Sequence, residues 1–379
     1  MACVDACRHN ALKVTEKWNL LYPEVDTQAC IECKMCEKVC PVVTPLNNDF
    51  DLHQAVPAAV WSLDDKVRLN AASGGFCTAM AIDTIKQGGV VATCIWKDGK
   101  AQYILTGDEE EIFAAANSKY IQSNAAGIYR SAREALKKGI KVLFVGLPCQ
   151  VAGLKKFLRE KAYENLTTIE LICSAAPSTE AVKMQEKHVG EGTLSRFRLK
   201  YDLLLWQRDY NVVLTNGDHN VVCNLGTPQN IFYSIFSSLL TARYSCMQCQ
   251  YAKPNRVADY TAGDFHGYRD GDSSKGVSLV ICKGQSQFER LKQMQSLYIQ
   301  PTTLSRALAS NSRLYCGFDA MLYHPGNVFR NAFNKLPPAL RRQMLLNRMP
   351  YRLAWGAFKA LTKVAIKIKW KKVQKEYLK

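Results

Sequence analysis

No run of eighteen consecutive apolar residues occurs in the sequence, which excludes a membrane-spanning helix of ordinary length. A basic-then-apolar leader is missing as well, because cysteines and charges interrupt the first twenty residues, so no secretory signal is read there. A cytoplasmic location is therefore expected. Acidic residues are scarce at the other end: Arg330 to Lys379 holds fourteen Lys or Arg and a single acid, Glu376. That stretch carries +13 of the formal net charge of +17, leaving about +4 on the rest of the 379 residues. The basicity belongs to a C-terminal appendage, and nucleic acid is not an expected partner of the body of the protein.

Cysteine, by contrast, is abundant, with fifteen in the chain. Such a count means either a disulfide framework in a secreted protein or metal and redox ligands in a reducing compartment. The missing leader and two C-x2-C spacings favour ligands. Apolar residues at 47% and charged residues at 22% are ordinary for a globular protein.

Composition divides the chain into a cysteine-rich segment 1–45, a polar, Pro-bounded linker 46–57, a core 58–330 and a basic tail 335–379. The core alternates β-branched runs with amphipathic stretches. Strands are expected at Val90–Trp96, Lys141–Gly146 and Thr167–Cys173, and helices at Phe76–Gln87, Ile128–Lys138 and Val151–Lys161. Gly88-Gly89 and Gly139 supply helix stops. The fold class expected is α/β, or α+β overall, with parallel strands in the first half of the core. From Phe197 to Asn224 the pattern turns to extended runs separated by turns.

Cys30-Ile-Glu-Cys33-Lys-Met-Cys36-Glu-Lys-Val-Cys40-Pro41 is the bacterial ferredoxin run C-x2-C-x2-C-x3-C-P. Three thiolates on one tight loop can each bind one iron of a cubane, while the fourth cysteine is expected to start a helix leading away. Zinc is the alternative, but zinc sites usually pair two separated C-x2-C knuckles. Cys3-Val-Asp-Ala-Cys7 reads as the second half of a similar run, with Arg8 where Pro is usual. On that reading the chain starts inside a longer ferredoxin-like 4Fe–4S domain. Cys7, Cys30, Cys33 and Cys36 would hold one cluster. Cys3 and Cys40 would serve a second that is complete only in a longer chain. The bland alternative leaves Cys3 and Cys7 as unpaired thiols near a frayed end.

In the core, Ser73-Gly74-Gly75 precedes a helix start, a place where free backbone N–H groups receive phosphate or merely form an N-cap turn. Cys149 and Cys173 each follow an expected strand; if the two strands are parallel neighbours, both thiols fall on one edge of the sheet. With Cys246-Met-Gln-Cys249 they make four thiolates, enough for one more [4Fe–4S] cluster. Cys77, Cys94, Cys223, Cys282 and Cys316 are read as small apolar packing groups without a role.

Five stretches then stand in a recognisable order: SGGFCTAMA at 73–81, SKYIQS at 118–123, VLFVGLPCQVAGLKKFL at 142–158, ICSAAPS at 172–178 and SCMQCQYAKPNRVADYTAGDFHG at 245–267. In these the chain resembles the beta-subunit family of coenzyme F-420 hydrogenase and dehydrogenase. The resemblance implies FAD beside the core [4Fe–4S] cluster, with flavin contacts from Ser73, Gly74, Gly75, Ser118 and Lys119. It also implies cluster ligation by Cys149, Cys173, Cys246 and Cys249, and it matches Asp264 without a derived role. Two turns depart from the family pattern: Ser174-Ala175-Ala176 replaces a His-Gly-containing turn, and Phe265-His266 stands where Phe-Trp is common. Both put the substrate in doubt more than the cofactors.

A flavin flanked by clusters joins two-electron hydride chemistry to one-electron carriers. The expected activity is an FAD- and 4Fe–4S-dependent oxidoreductase acting on a small organic substrate, with ferredoxin or another redox protein as partner. Its rival is an electron-relay subunit with no substrate site of its own. Cluster-based sensing with nucleic-acid attraction through the tail is weaker, since no DNA-reading module is present. Within the tail, Leu353, Ala357, Leu361, Val364 and Ile368 alternate with lysines, which suits either a helix on an anionic membrane surface or one packed back on the core.

Overall fold

The computed structural model describes residues 1–46, 50–197, 211–224, 227–238, 241–316 and 351–378. The expectation for Pro337-Pro338 and the start of the tail lies outside them. Thirteen strands form a large sheet, a small sheet and a hairpin among these residues. The amino-terminal segment contains helix α1 (Ala2–Ala6), the hairpin β1 (Leu12–Lys17) with β2 (Leu20–Val25), and helix α2 (Met35–Lys38).

The core strands are β3 (Val56–Ser62), β4 (Val90–Lys97), β5 (Lys100–Thr106), β6 (Val142–Gly146) and β7 (Leu166–Leu171). They continue with β11 (Tyr260–Asp264), β12 (Ser278–Cys282) and β13 (Leu297–Pro301). The sheet order is β13-β3-β12-β11-β7-β6-β4-β5. β4, β6, β7 and β11 run parallel, flanked by antiparallel neighbours on both sides. The expected parallel half is therefore present inside a mixed sheet. β5 escaped the periodicity reading, although its turn is plain: Asp98 and Gly99 are both left-handed, as a two-residue hairpin requires. Of the extended runs expected from Phe197 to Asn224, positions 198–210 lie outside the described residues; the rest forms β9 (Val212–Asn216) and β10 (His219–Cys223), which join β8 (Thr193–Arg196) in the small sheet.

β6 is buried along its whole length because helices cover both faces of the sheet. Val142 and Phe144 meet Ala132, Leu136, Leu154 and Phe157 of helices α6 (Ile128–Lys137) and α7 (Pro148–Phe157). Leu143 and Val145 meet Phe76 and Met80 of helix α4 (Phe76–Lys86) on the other face. Gly88 and Gly139 are left-handed just past α4 and α6, as expected of helix stops.

Three local readings are corrected. Residues 46–57 are not wholly linker: Phe50 and Leu52 are buried beside Trp61 and Leu279, and β3 begins at Val56. The helix read as Val151–Lys161 runs Pro148–Phe157, with Pro148 at its first position, where a missing N–H costs nothing. The helix near Cys40 precedes it, as α2, and turns follow it.

The amino-terminal segment is fastened to the core. The Asp5 carboxylate, 6% exposed, accepts the N–H groups of Gly127 (2.6 Å), Tyr129 (3.0 Å) and Arg130 (3.1 Å) at the start of α6. Arg130 donates back to the Asp5 carbonyl at 3.0 Å. Gln122 exchanges hydrogen bonds with both backbone groups of Leu21, and the Arg243 guanidinium stacks over Tyr22.

Candidate functional site

The strand ends of a parallel sheet leave a crevice where loops diverge. Here β6 and β7 are parallel neighbours, and their carboxyl ends carry Cys149 and Cys173 to the same edge. Cys149 lies in the first turn of α7, where the Gln150 side chain accepts the Leu147 N–H at 2.8 Å and fixes the turn. Cys173 follows β7 directly. Helix α10 (Tyr244–Met247) supplies Cys246, and Cys249 follows it.

These four thiols converge. Burial, then Cys246, Cys149 and Cys249, push the Cys173 thiol well above its ordinary range. Cys149 opens onto solvent yet is crowded enough that burial, then Cys249 and Cys246, push it up to about 12. The Cys246 sulfur accepts the Ala176 N–H at 3.4 Å, from the turn that departs from the family pattern. Among the described residues no three His, Cys, Asp or Glu side chains stand close enough to share a single metal ion. A cubane asks for something else, since each of its four thiolates takes a different iron.

In the amino-terminal run, left-handed Glu32 and Lys34 curl the loop on either side of Cys33, which is exposed, while Cys30 and Cys36 are partly buried. The Cys7 sulfur accepts the Ala11 N–H at 3.3 Å. Cys3 is raised chiefly by burial, and Cys40 adds to the rise. Tyr251 joins the two regions. Its hydroxyl donates to the Pro41 carbonyl at 2.6 Å, and burial raises it first, with Cys149, Cys249 and Cys40 all adding to the rise.

Next to the core cysteines a cavity of about 660 Å³ opens, within the range of small-molecule sites. Ser73, Gly75, Ser118, Lys119 and Cys173 all line it. The Ser73 hydroxyl donates to the Val277 carbonyl at 2.8 Å, and the Gly74 N–H donates to the Ser278 hydroxyl at 3.0 Å. Gly74 has a packing reason of its own: a Cβ would stand 2.4 Å from the Val60 carbonyl oxygen and 2.7 Å from the Ser278 nitrogen. Gly75 caps α4 in a left-handed conformation. Lys119 is not a solvated surface lysine. Its ammonium donates to the carbonyls of Ala115, Ala116 (3.3 Å) and Asn117 (3.1 Å), at the end of helix α5 (Glu109–Ala115). Burial lowers it to about 8, with Cys94 opposing and Arg196 adding to the shift.

Sequence reasoning missed several walls of this cavity. Cys77 and Cys94, read as packing groups, both line it, whereas Cys223, Cys282 and Cys316 are buried in apolar clusters as expected. Tyr103 on β5 donates to the Gln150 side chain at 2.8 Å, and Gln150 donates to Ser123 at 2.9 Å. Asp264 and His266 line the cavity too, as do Ser174 and Ala175. Both departures from the family pattern thus fall on its wall. Gln150, Asp264 and His266 lay inside the matched stretches, but Tyr103 and Cys94 had no motif and are placed only by the β4–β5 hairpin.

Residues 58–129 match the family model described as coenzyme F420 hydrogenase/dehydrogenase, beta subunit N-term, and residues 139–304 match the companion model for the carboxyl terminus of the same beta subunit. The chain belongs to the coenzyme F420 hydrogenase/dehydrogenase beta-subunit family. Its mixed α/β core is the part the two models span, roughly three-fifths of the chain, and membership gives it a redox, electron-transfer role. Among solved structures it is similar to the F420-reducing NiFe hydrogenase complex from Methanosarcina barkeri, studied there by xenon derivatization. The identity is 15%, the match covers 65% of this chain and 81% of that chain, and the TM-score is 0.46. Among curated proteins none matches. Within this beta-subunit-type core no helix of the described residues is long and apolar enough to cross a membrane, and the same holds for the terminal helix.

Proposed function

We propose that the chain is an iron–sulfur flavoprotein oxidoreductase that passes electrons between ferredoxin-type 4Fe–4S clusters and FAD, with hydride transfer to or from a small organic substrate. One observation carries this reading: four of the five residues implied for the flavin (all but Gly74) and Cys173, implied for the core cluster, line the same cavity. The donor sets suit the groups. Four thiols from three segments make an all-sulfur site, with Cys149 and Cys173 raised first by burial and then by their cysteine neighbours, and sulfur that already accepts backbone N–H bonds is how proteins tune cluster potentials.

On this reading Cys149, Cys173, Cys246 and Cys249 would hold the core cluster, and Cys7, Cys30, Cys33 and Cys36 the ferredoxin-type one. Ser73, Gly74, Gly75, Ser118 and Lys119 would receive FAD. When bound, the flavin supplies hydride chemistry and the clusters supply single-electron transfer. The first turn of α4 presents backbone N–H groups at the cavity, a setting that favours a phosphate. Gln150, fixed between Tyr103 and Ser123, holds the wall between cavity and core cysteines in one arrangement. Tyr251 packs the amino-terminal run against the core beside the core cysteines.

Iron, acid-labile sulfide and released flavin per chain, measured after anaerobic purification, test the proposal. About one flavin with roughly eight irons is expected. About four irons and no flavin would leave only the ferredoxin-type segment and remove the enzyme reading. Dithionite titration separates the rival, since a flavin that binds but is never reduced would break the proposed link between clusters and flavin.

A further inference from the structure

The C-terminal helix Tyr351–Tyr377 has two faces with different surroundings. Its inner face packs on the core: Val373 is 6% exposed, and Ile366, Trp370 and Tyr377 join it against the cluster containing Trp61, Phe265 and Leu279. Trp370 meets Tyr315 at 5.2 Å between ring centroids, and Tyr377 meets His53 at 6.5 Å. At 3.6 residues per turn these four positions span only about 60° of the helix.

The outer face is unlike a solvated one. Val364 and Ile368, on the opposite side, are 55% and 63% exposed. Lys363, Lys367, Lys371 and Lys375 recur at every fourth residue beside them, all exposed, with Lys372 on the far flank. No acid occurs anywhere from 363 to 375. Like charges four residues apart repel on a bare helix, and solvated helices usually answer each lysine with a glutamate. Glu376 stands one turn from Lys372, but Lys363, Lys367, Lys371 and Lys375 have no acid three or four residues away, and an aliphatic pair beside such lysines calls for a surface that is both anionic and apolar beneath.

We propose that this outer face lies on an anionic lipid surface, with Val364 and Ile368 entering the acyl boundary and the lysines reaching back to the headgroups. The inner face then ties the redox core to that surface. Lysine stems cover apolar surface while their charge stays in the polar layer, which is the arrangement of an interfacial helix. A nucleic acid would satisfy the lysines but leave the aliphatic pair against phosphate. The inference is independent of the proposed cofactors.

Vesicle flotation of the full chain tests it, with phosphatidylcholine alone and with phosphatidylcholine mixed with phosphatidylglycerol. The expected result is flotation with the anionic vesicles only. Val364→Asp with Ile368→Asp should lower the bound fraction at least tenfold while the melting temperature stays unchanged, because both side chains are exposed. Lys363→Gln, Lys367→Gln and Lys371→Gln together should do the same. Should the double aspartate variant melt early, Ile368→Ser reads the same face with less disturbance. Absence of flotation with anionic vesicles would overturn the proposal. So would flotation that heparin abolishes and the Val364/Ile368 replacements leave untouched, since that is attraction by charge alone.

Discussion

The two cysteine regions bring their thiols together in opposite ways. In the amino-terminal run, Cys30, Cys33, Cys36 and Cys40 follow one another within a single curled loop and its short helix, and Cys33 faces solvent. In the core, Cys149, Cys173, Cys246 and Cys249 come from three segments that meet only because β6 and β7 are parallel and α10 returns to their edge. The first site is written in local spacing and depends little on distant packing. The second is made by tertiary structure, where burial first and then the neighbouring cysteines raise Cys149 and Cys173. A site of the first kind tolerates change in the sheet; one of the second kind takes its neighbouring cavity with it.

The largest effect that would break this comparison is the loss of one cluster set without the other. Cys33→Ser should remove about half of the iron and leave the flavin bound, since none of its neighbours lines the cavity. Cys173→Ser should remove a similar share of the iron and loosen the flavin as well, because Cys173 lines the cavity proposed for the flavin. Metal analysis and flavin fluorescence of the two variants decide it. Equal loss of flavin from both would mean that the regions are not separable.

The same contrast explains what could be read without a structure. The amino-terminal run could be read as a proposed ligand set because three cysteines recur at intervals of three residues within one loop, and no fold is needed to bring them together. The parallel pair β6 and β7 was legible from two apolar runs that each end before a cysteine. Cys94 and Tyr103 were not, because their places depend on a hairpin that returns across the sheet edge. Lys119 reads from sequence like any surface lysine; only the end of α5 shows that its charge is drawn inward. Asp5 looked like filler between two cysteines, whereas its carboxylate closes the start of a helix more than 120 residues away.

Asp5 gives the next largest effect. Asp5→Ala leaves three N–H groups at the start of α6 without their acceptor, two of them bonded at 3.0 Å or less. A loss of about 1–3 kcal/mol in unfolding free energy is expected. Urea denaturation measures it, and iron analysis of the folded variant sharpens the comparison. Core iron that stays bound would show that the clamp only docks the amino-terminal segment. Core iron lost with it would show that the segment is part of the core's own fold.

The smallest effect asks whether the core cavity holds charge out of water. Burial, the leading cause, lowers Lys119 to about 8 from an ordinary 10.5, so above the lower value the folded chain releases a proton that the unfolded chain keeps until the higher one. Between those values the unfolded state binds more protons, and the contribution of this group to stability rises with pH. Below about 8 the full cost of the buried charge is present. Lys119→Met removes that cost, so its stability relative to the parent should be most favourable near neutral pH and decline steadily toward pH 10. Lost hydrogen bonds to the α5 carbonyls set the level of that difference rather than its slope. Cys77 and Tyr103, raised by burial, give the opposite slope in both proteins and cancel in the comparison. Urea midpoints of the pair at about pH 7.5, 9 and 10 read the slope directly. A difference constant across that range would place the ammonium in solvent, and the core site would then be as open as the amino-terminal run.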